Sequence, residues 1–200
     1  AGTRRATVAV EESGGRDPLD AIATTARPEG GGWRLDGLKP LVLDGDSADV
    51  AYVVAREPGG DLAGFAVVDP AAEPVPSLDV TRTLARLALG GRPARRVGPA
   101  GDQRALWARI VDDIGIALCA ESVGAGDRAL AMASDYARQR VQFDRPIATF
   151  QVIRHKIVDM LHQLELARVA THYAAWASAA DDPQRELAAA MAKGFVAEAA

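Results

Sequence analysis

Short apolar stretches separated by glycine and proline turns occupy the chain up to about residue 100. Residues 24–27 and 33–36 flank a glycine-rich turn, and residues 50–55 and 62–68 flank another. Short apolar runs at this spacing, bounded by turn residues, are typical of strands joined by hairpins. The pattern predicts a small antiparallel β-barrel or sandwich in this half of the chain.

The hydrophobic pattern then changes to a helical period. Apolar residues recur every three or four positions from Leu106 to Tyr136. This spacing predicts a helix of about 35 residues, or ~50 Å, with Asp102 as its N-cap. Residues 150–164 carry a second apolar helical face. Pro183 interrupts the period and, as a residue favoured at the first helical position, predicts the start of a third helix.

Three glycines lie inside the first predicted helix, at positions 115, 124 and 126. Each costs a helix about 1 kcal/mol relative to alanine. We therefore expect Gly115, Gly124 and Gly126 to mark places where a neighbouring helix packs closely.

These patterns predict an α+β protein in two parts. Residues 1–100 form a small antiparallel β-barrel or sandwich. Residues 101–200 form long antiparallel helices of an up-and-down bundle.

Composition excludes several classes of function. The net charge of −4 gives no general basic surface for nucleic acid. A single cysteine, Cys119, excludes an intrachain disulfide and fits a cytoplasmic location. No apolar run reaches the roughly 18 residues of a membrane span. His155 and His162 are seven residues apart on one helix, too far for a shared metal ion without a third ligand, so no metal site is predicted.

The turn between the first two predicted helices is the most informative segment. It contains Arg140, Phe143 and Gln151 in the pattern Arg-x-x-Phe-Asp-x-x-Ile-x-x-x-Gln. Arginine binds two phosphate oxygens at once, and a helix N-terminus also favours an anion. We expect Pro146 to fix the start of the second helix. The alternative is that Arg140 and Arg145 only stabilise a helix C-terminus.

This segment resembles the pattern Arg-x-x-Phe-Gly-x-x-Ile-x-x-x-Gln with which the acyl-CoA dehydrogenase family holds FAD. Asp144 stands where the family has glycine. The residues of the segment are most similar to those of actinobacterial members. The resemblance implies that residues 1–100 are the family's middle β-domain and that residues 101–200 are an incomplete C-terminal helical bundle domain. The resemblance implies that Arg140, Phe143 and Gln151 face the adenine and pyrophosphate part of an FAD bound mainly by an adjoining subunit.

Two segments of the β half extend the resemblance. Residues 8–17 are similar to the family's Thr-Glu-Pro-x-x-Gly-Ser-Asp, and residues 37–45 to its Gly-x-Lys-x-(aromatic)-Ile-(Thr/Ser)-Asn-Gly. Val10 and Leu43 take the places of hydroxyl residues that bond the flavin ring, and Arg16 that of a serine that positions the substrate. Methyl groups cannot donate hydrogen bonds to a flavin.

The catalytic base of the family is usually a glutamate in a segment beyond residue 200. A minority of members carry it early in the first long helix, and Ile114 occupies that position. Asp112 is nearby and is our candidate for contact with substrate. Each residue of helix rotates the side-chain direction by about 100°, so Asp112 does not point where a side chain at position 114 would point. No residue is predicted to be catalytic.

The resemblance implies an FAD-dependent acyl-CoA dehydrogenase that oxidises the α,β bond of an acyl-CoA thioester, of a fatty acid or a steroid. We expect this chain alone to be inactive, and to form a homo-oligomer or to assemble with a homologous second subunit. An electron-accepting flavoprotein is a further expected partner. The alternatives are a non-catalytic partner subunit of a mixed assembly, a related flavin monooxygenase, and an interaction module without cofactor.

Overall fold

The computed structural model describes residues 2–12 and 17–199. The chain divides into two compact units, Ala1–Ala108 and Arg109–Ala200. We call them the β unit and the helical unit. Their mixed content confirms the predicted α+β class with a β-sandwich.

In the described residues, the β unit contains nine strands in two sheets. A six-stranded sheet has the order β1-β5-β2-β3-β9-β6, with a further β5–β6 pairing, and a three-stranded sheet has the order β4-β8-β7. The pairings are antiparallel except β1–β5 and β2–β5. The strands are β1 (Ala6–Ala9), β2 (Thr25–Glu29), β3 (Gly32–Asp36), β4 (Leu38–Leu43), β5 (Val50–Arg56), β6 (Leu62–Val68), β7 (Glu73–Val75), β8 (Leu84–Ala88) and β9 (Arg92–Val97).

Both predicted hairpins are present. β2 pairs antiparallel with β3 across a turn at Gly30 and Gly31, whose positive φ values suit a tight hairpin. β5 pairs with β6 along seven residues. Phe65 in β6 is fully buried and its ring lies 5.3 Å from that of Trp33. The core of the unit therefore comes from the short apolar runs that predicted the strands, and β6 is buried at six consecutive residues.

The helices follow the predicted order, with shifted starts. The first, α1, spans Arg104–Gln139, and the Asp102 carboxylate accepts the Arg104 N–H at 3.2 Å. The second, α2, spans Gln151–Ala179. The third, α3, spans Arg185–Ala199. The Asp182 carboxylate accepts the Gln184 N–H at 2.8 Å, as an N-cap does, so Pro183 stands at the first position of the opening turn as expected, and the regular helix follows from Arg185.

Side chains from α1 and α2 pair in antiparallel order. Asp127 in α1 contacts Arg168 in α2, and Asp113 further back in α1 accepts a hydrogen bond from the Ser178 hydroxyl further along α2. A buried cluster that includes Cys119, Leu164 and Ala192 joins the three helices. None of the helices in the described ranges is long and apolar enough to cross a membrane.

Only one of the three helix glycines lies against another helix. A Cβ atom at Gly126 would stand 2.9 Å from Cδ1 of Leu164 in α2. Around Gly115 and Gly124, no described atom would lie within 4 Å of an added Cβ. The expectation of close packing is therefore correct at Gly126 and wrong at the other two positions within this chain.

Candidate functional site

The turn between α1 and α2 is a short β-hairpin with a two-residue loop. Strands β10 (Val141–Gln142) and β11 (Arg145–Pro146) pair antiparallel, and the Ile147 N–H closes the base on the Arg140 carbonyl at 2.8 Å. The loop residues Phe143 and Asp144 have φ values of 53° and 60°. Two positive φ values define a type I′ turn, which glycine, asparagine and aspartate adopt readily. Asp144 therefore suits its place, whereas Phe143 is held in a conformation that bulky residues rarely take.

Phe143 combines this backbone with high exposure. Its side chain is 86% exposed, and its ring meets the ring of Phe150 edge to face at 6.1 Å. The Arg145 guanidinium carbon lies 4.3 Å from the centroid of the Phe150 ring. An exposed aromatic in a strained conformation is a recurring feature of binding sites, because the surrounding structure must hold it there.

Arg140 follows α1 directly and is exposed. In the described ranges no hydrogen bond or ion pair engages its guanidinium. The neighbouring arginines do have partners: Arg138 bonds Asp135 at 2.9 Å, and Arg154 donates to the Ala148 carbonyl at 2.9 Å. Arg140 therefore presents an uncommitted cation at the base of the hairpin.

Gln151 is the first residue of α2 and is exposed. The N-cap residue, Phe150, makes no side-chain hydrogen bond to the first turn. The first N–H groups of a helix have no acceptor within the helix and are directed beyond its N-terminus, where they favour an anion. Pro146 does not begin α2 as expected, because a 3-10 turn at Ile147–Thr149 separates strand β11 from the helix.

In the β unit, Val10 and Leu43 present apolar side chains. Val10 is half-buried and Leu43 is 43% exposed. Both of their carbonyl groups are already engaged: the Lys39 ammonium donates to the Val10 carbonyl at 3.0 Å, and the Thr7 hydroxyl to the Leu43 carbonyl at 2.6 Å. Neither side chain can donate the hydrogen bond that a hydroxyl residue would supply to a flavin, and a carbonyl group only accepts.

The structure gives Asp112 a partner inside the helical unit. Its carboxylate lies 3.5 Å from the guanidinium of Arg185 in α3. Burial raises the pKa of Asp112, Arg185 opposes this shift, and the nearby carboxylates of Glu186 and Asp113 add to it. Its contact with substrate stays a prediction, as does that of Arg16, which lies outside the described residues. Ile114 is 42% exposed.

Lys39 lies in the segment 37–45 that resembles a family motif, but no functional role was predicted for it. Lys39 is fully buried and bonds the Glu12 carboxylate at 2.5 Å. A lysine among the apolar residues of a short strand was the signal available, and its partner lies 27 residues away in the sequence.

Comparison with known proteins defines the class. Residues 114–200 match the family described as acyl-CoA dehydrogenase, C-terminal domain. The chain belongs to the acyl-CoA dehydrogenase family. It is 34% identical to the acyl-CoA dehydrogenase IpdE2 of Mycobacterium tuberculosis, over 74% of this chain and 43% of that protein. The chain spans about half the length of the curated relatives it matches.

Two solved structures have the same fold. The Tcur3481-Tcur3483 steroid ACAD matches with a TM-score of 0.84 and 34% identity, over 99% of this chain and 54% of that one. The ChsE4-ChsE5 complex from Mycobacterium tuberculosis matches with a TM-score of 0.81 and 32% identity, over 98% of this chain and 52% of that one.

The two groups of residues differ in how well they fit FAD. Arg140, Phe143 and Gln151 offer a free cation, an exposed aromatic ring and a helix N-terminus, which suit a pyrophosphate and a planar base. Val10 and Leu43 offer only apolar contact to a flavin ring. The hairpin therefore offers groups that suit the adenine and pyrophosphate part of FAD, whereas Val10 and Leu43 have no side-chain donor for a flavin ring.

Proposed function

We propose that this chain is part of an FAD-dependent acyl-CoA dehydrogenase assembly that oxidises the α,β bond of an acyl-CoA thioester. FAD, when bound, accepts the hydride from the β carbon. Arg140, Phe143 and Gln151 bind the adenine and pyrophosphate part of an FAD that an adjoining subunit holds by its flavin end. The proposal includes a cytoplasmic location and an electron-accepting flavoprotein as partner.

The proposal rests mainly on the exposed guanidinium of Arg140, which is unpaired among the described residues. Its guanidinium is exposed and has no partner in the described ranges, although other arginines near the hairpin are engaged. A helix-capping role alone gives no reason for the neighbouring exposed Phe143 to hold a left-handed backbone. Binding of a ligand that carries both a phosphate and a planar ring accounts for both residues.

A second candidate function is a non-catalytic subunit in a mixed assembly. Three observations favour it: Val10 and Leu43 cannot donate to flavin, Ile114 stands where a minority of the family has its base, and Asp112 is paired with Arg185. The names of two similar structures, Tcur3481-Tcur3483 and ChsE4-ChsE5, each join two proteins. In this role the chain completes the FAD site of a homologous subunit that carries the chemistry.

The test is reconstitution with FAD and turnover with an artificial electron acceptor over short, long and steroid-type acyl-CoAs. We expect no turnover by the 200-residue chain alone, and retention of FAD only in an oligomer, either of copies or with a homologous subunit. Sustained turnover by the isolated chain contradicts the non-catalytic candidate. Absence of FAD binding in every assembly contradicts both candidates and leaves an interaction module.

A further inference from the structure

Helix α2 carries apolar side chains on two opposite sides. One side is buried and faces the other helices of the unit, at Leu164, Ala167, Thr171, Ala174 and Ala177. Each residue turns the helix by about 100°, so a second set of apolar residues lies on the opposite side. Their side chains are between 45% and 64% exposed, at Val158, Val169, Tyr173 and Trp176. A helix that is apolar all round is normally buried, so this second side has the character of an interface.

The exposed side of α2 forms one continuous row of residues. We call it the outer stripe, and its members are spaced by three or four positions: Val158, His162, Glu165, Val169, Tyr173 and Trp176. The rings of Tyr173 and Trp176 stack at 5.8 Å with 27° between their planes. The Tyr173 hydroxyl also donates to Gln184 Oε1 at 3.0 Å. Side chains that are already ordered in this way lose little freedom on binding, and tyrosine and tryptophan are enriched at the strongest contacts of protein interfaces.

The two ends of the outer stripe differ in charge. Arg154 is exposed, one helical turn before Val158. At the other end, Asp181 and Asp182 follow the last turn of α2. Asp181 contacts Arg109 at 2.7 Å, whereas the hydrogen bond of the Asp182 carboxylate in the described part of the chain is to a main-chain N–H. The stripe therefore has a cation before it, an apolar middle and a carboxylate after it.

We propose that the outer stripe is an interface with a second copy of this chain, in which the two α2 helices pack antiparallel. A two-fold axis brings the same surface of both copies together. With the axis near position 167, Val158 of each copy lies opposite Trp176 of the other, and Glu165 lies opposite Val169. The inference does not depend on the proposed function, because it uses no cofactor or substrate contact.

The charges select the antiparallel direction and a second copy as the occupant. In this arrangement Arg154 of one copy lies opposite the turn at 180–182 of the other, which contains Asp182. A parallel pair instead places Arg154 beside Arg154 and Glu165 beside Glu165, and like charges opposed across an interface are costly. One surface that carries both halves of a complementary pattern is suited to contact between identical copies.

The first experiment measures association of the 200-residue chain by sedimentation equilibrium. Val169→Glu places a carboxylate opposite Glu165 of the other copy. The matched control is Met132→Glu, because Met132 lies on α1, away from the outer stripe, and is 56% exposed where Val169 is 64% exposed. Circular dichroism and the thermal midpoint show whether each variant folds. We expect Val169→Glu to raise the dimer Kd by about tenfold or more through like-charge repulsion, and Met132→Glu to leave it unchanged.

The second experiment tests the direction of packing by disulfide cross-linking. Cys119→Ala first removes the single cysteine of the chain. Val158→Cys and Trp176→Cys are then made separately in that background, and each protein is oxidised alone and in a mixture. The antiparallel pair brings position 158 of one protein beside position 176 of the other. Two copies of position 158 lie ~27 Å apart along the helices, at 1.5 Å per residue, which no disulfide spans.

We expect a cross-linked dimer in the mixture and none in either protein alone. A cross-link formed by Val158→Cys alone shows parallel packing and overturns the inference. So does a wild-type chain that stays monomeric at high micromolar concentration, or a folded Val169→Glu with the wild-type Kd. Each of these results leaves the proposed function standing, because FAD can still be held with a homologous second subunit.

Discussion

Phe143 meets Phe150 edge to face, with 6.1 Å between ring centroids and 86° between ring planes. Phe150 precedes the first residue of α2, and Phe143 is the first loop residue of the hairpin. The contact therefore connects the hairpin to the start of the helix. It orients the exposed ring of Phe143, whose backbone alone disfavours the conformation observed.

Replacing Phe143 is expected to change the free energy of unfolding and the affinity for FAD in opposite directions. Phe143→Asn removes a bulky residue from a left-handed conformation that asparagine tolerates, so the free energy of unfolding without cofactor rises by about 1 kcal/mol. The same change removes the ring and weakens FAD binding. Denaturant unfolding and a flavin fluorescence titration measure the two effects. Val141→Asn, at an exposed strand residue of ordinary geometry, is the control and gives no gain in stability.

Arg140→Ala tests the phosphate contact directly. Loss of a hydrogen bond to a charged group reduces FAD binding in the assembly by about 1.5–3 kcal/mol. Arg138→Ala is the control, because Arg138 forms only an exposed pair with Asp135, of the kind worth about 0–1 kcal/mol. FAD content after gel filtration and a fluorescence titration report the difference. Equal affinity of wild type and Arg140→Ala removes Arg140 from the cofactor site and supports the helix-capping alternative.

The helix glycines give a prediction about α1. Gly124→Ala adds a methyl group that meets no described atom within 4 Å, so the isolated chain gains about 0.5–1 kcal/mol of stability from helix propensity. Gly126→Ala gains less or loses stability, because the new Cβ presses on Leu164. Urea unfolding of both variants checks the order. A larger gain at Gly126 than at Gly124 contradicts the observed packing of α1 on α2.

The buried ion pair of Glu12 and Lys39 predicts a pH dependence of unfolding. Burial raises the pKa of Glu12, but the hydrogen bonds from Lys39 and Thr24 outweigh it, so the pKa lies below its ordinary value of about 4.3. A lowered carboxyl pKa contributes stability that is present above the ordinary pKa and is lost as pH falls through the folded-state value. Unfolding followed from pH 7 to pH 3 shows this loss in wild type. Glu12→Gln, which does not titrate, shows a smaller decline over the same range.

The sequence predicted the regular elements well because their signals are local. The hairpins at residues 25–36 and 50–68 follow from short apolar runs on either side of glycine turns. The long helix α1 follows from its period. The same holds for the hairpin segment, whose residue types at fixed spacing indicate the family whose C-terminal domain matches residues 114–200.

What the sequence did not reveal depends on distant residues. Glu12 and Lys39 are 27 positions apart, and neither residue alone indicates a buried pair. Pro146 fits a helix start by propensity, but its pairing with Val141 places it in a strand. The consequence of Gly115 and Gly124 depends on which atoms approach α1, and an amino-acid pattern does not specify that.

The antiparallel order of α1 and α2 bears on how the helical unit folds. Once the hairpin at residues 141–146 has formed, Asp127 and Arg168 close a much shorter loop than Arg109 and Asp181, and each later pair adds only a small further loss of chain entropy. We therefore expect the hairpin to be structured in the transition state for folding, with contacts near Asp181 forming last. In denaturant-jump kinetics, Phe143→Asn then changes the folding rate, whereas removing the Asp181 carboxylate mainly accelerates unfolding. The turn proposed to hold FAD is thus also the place where the first contacts that align α1 with α2 are expected to form.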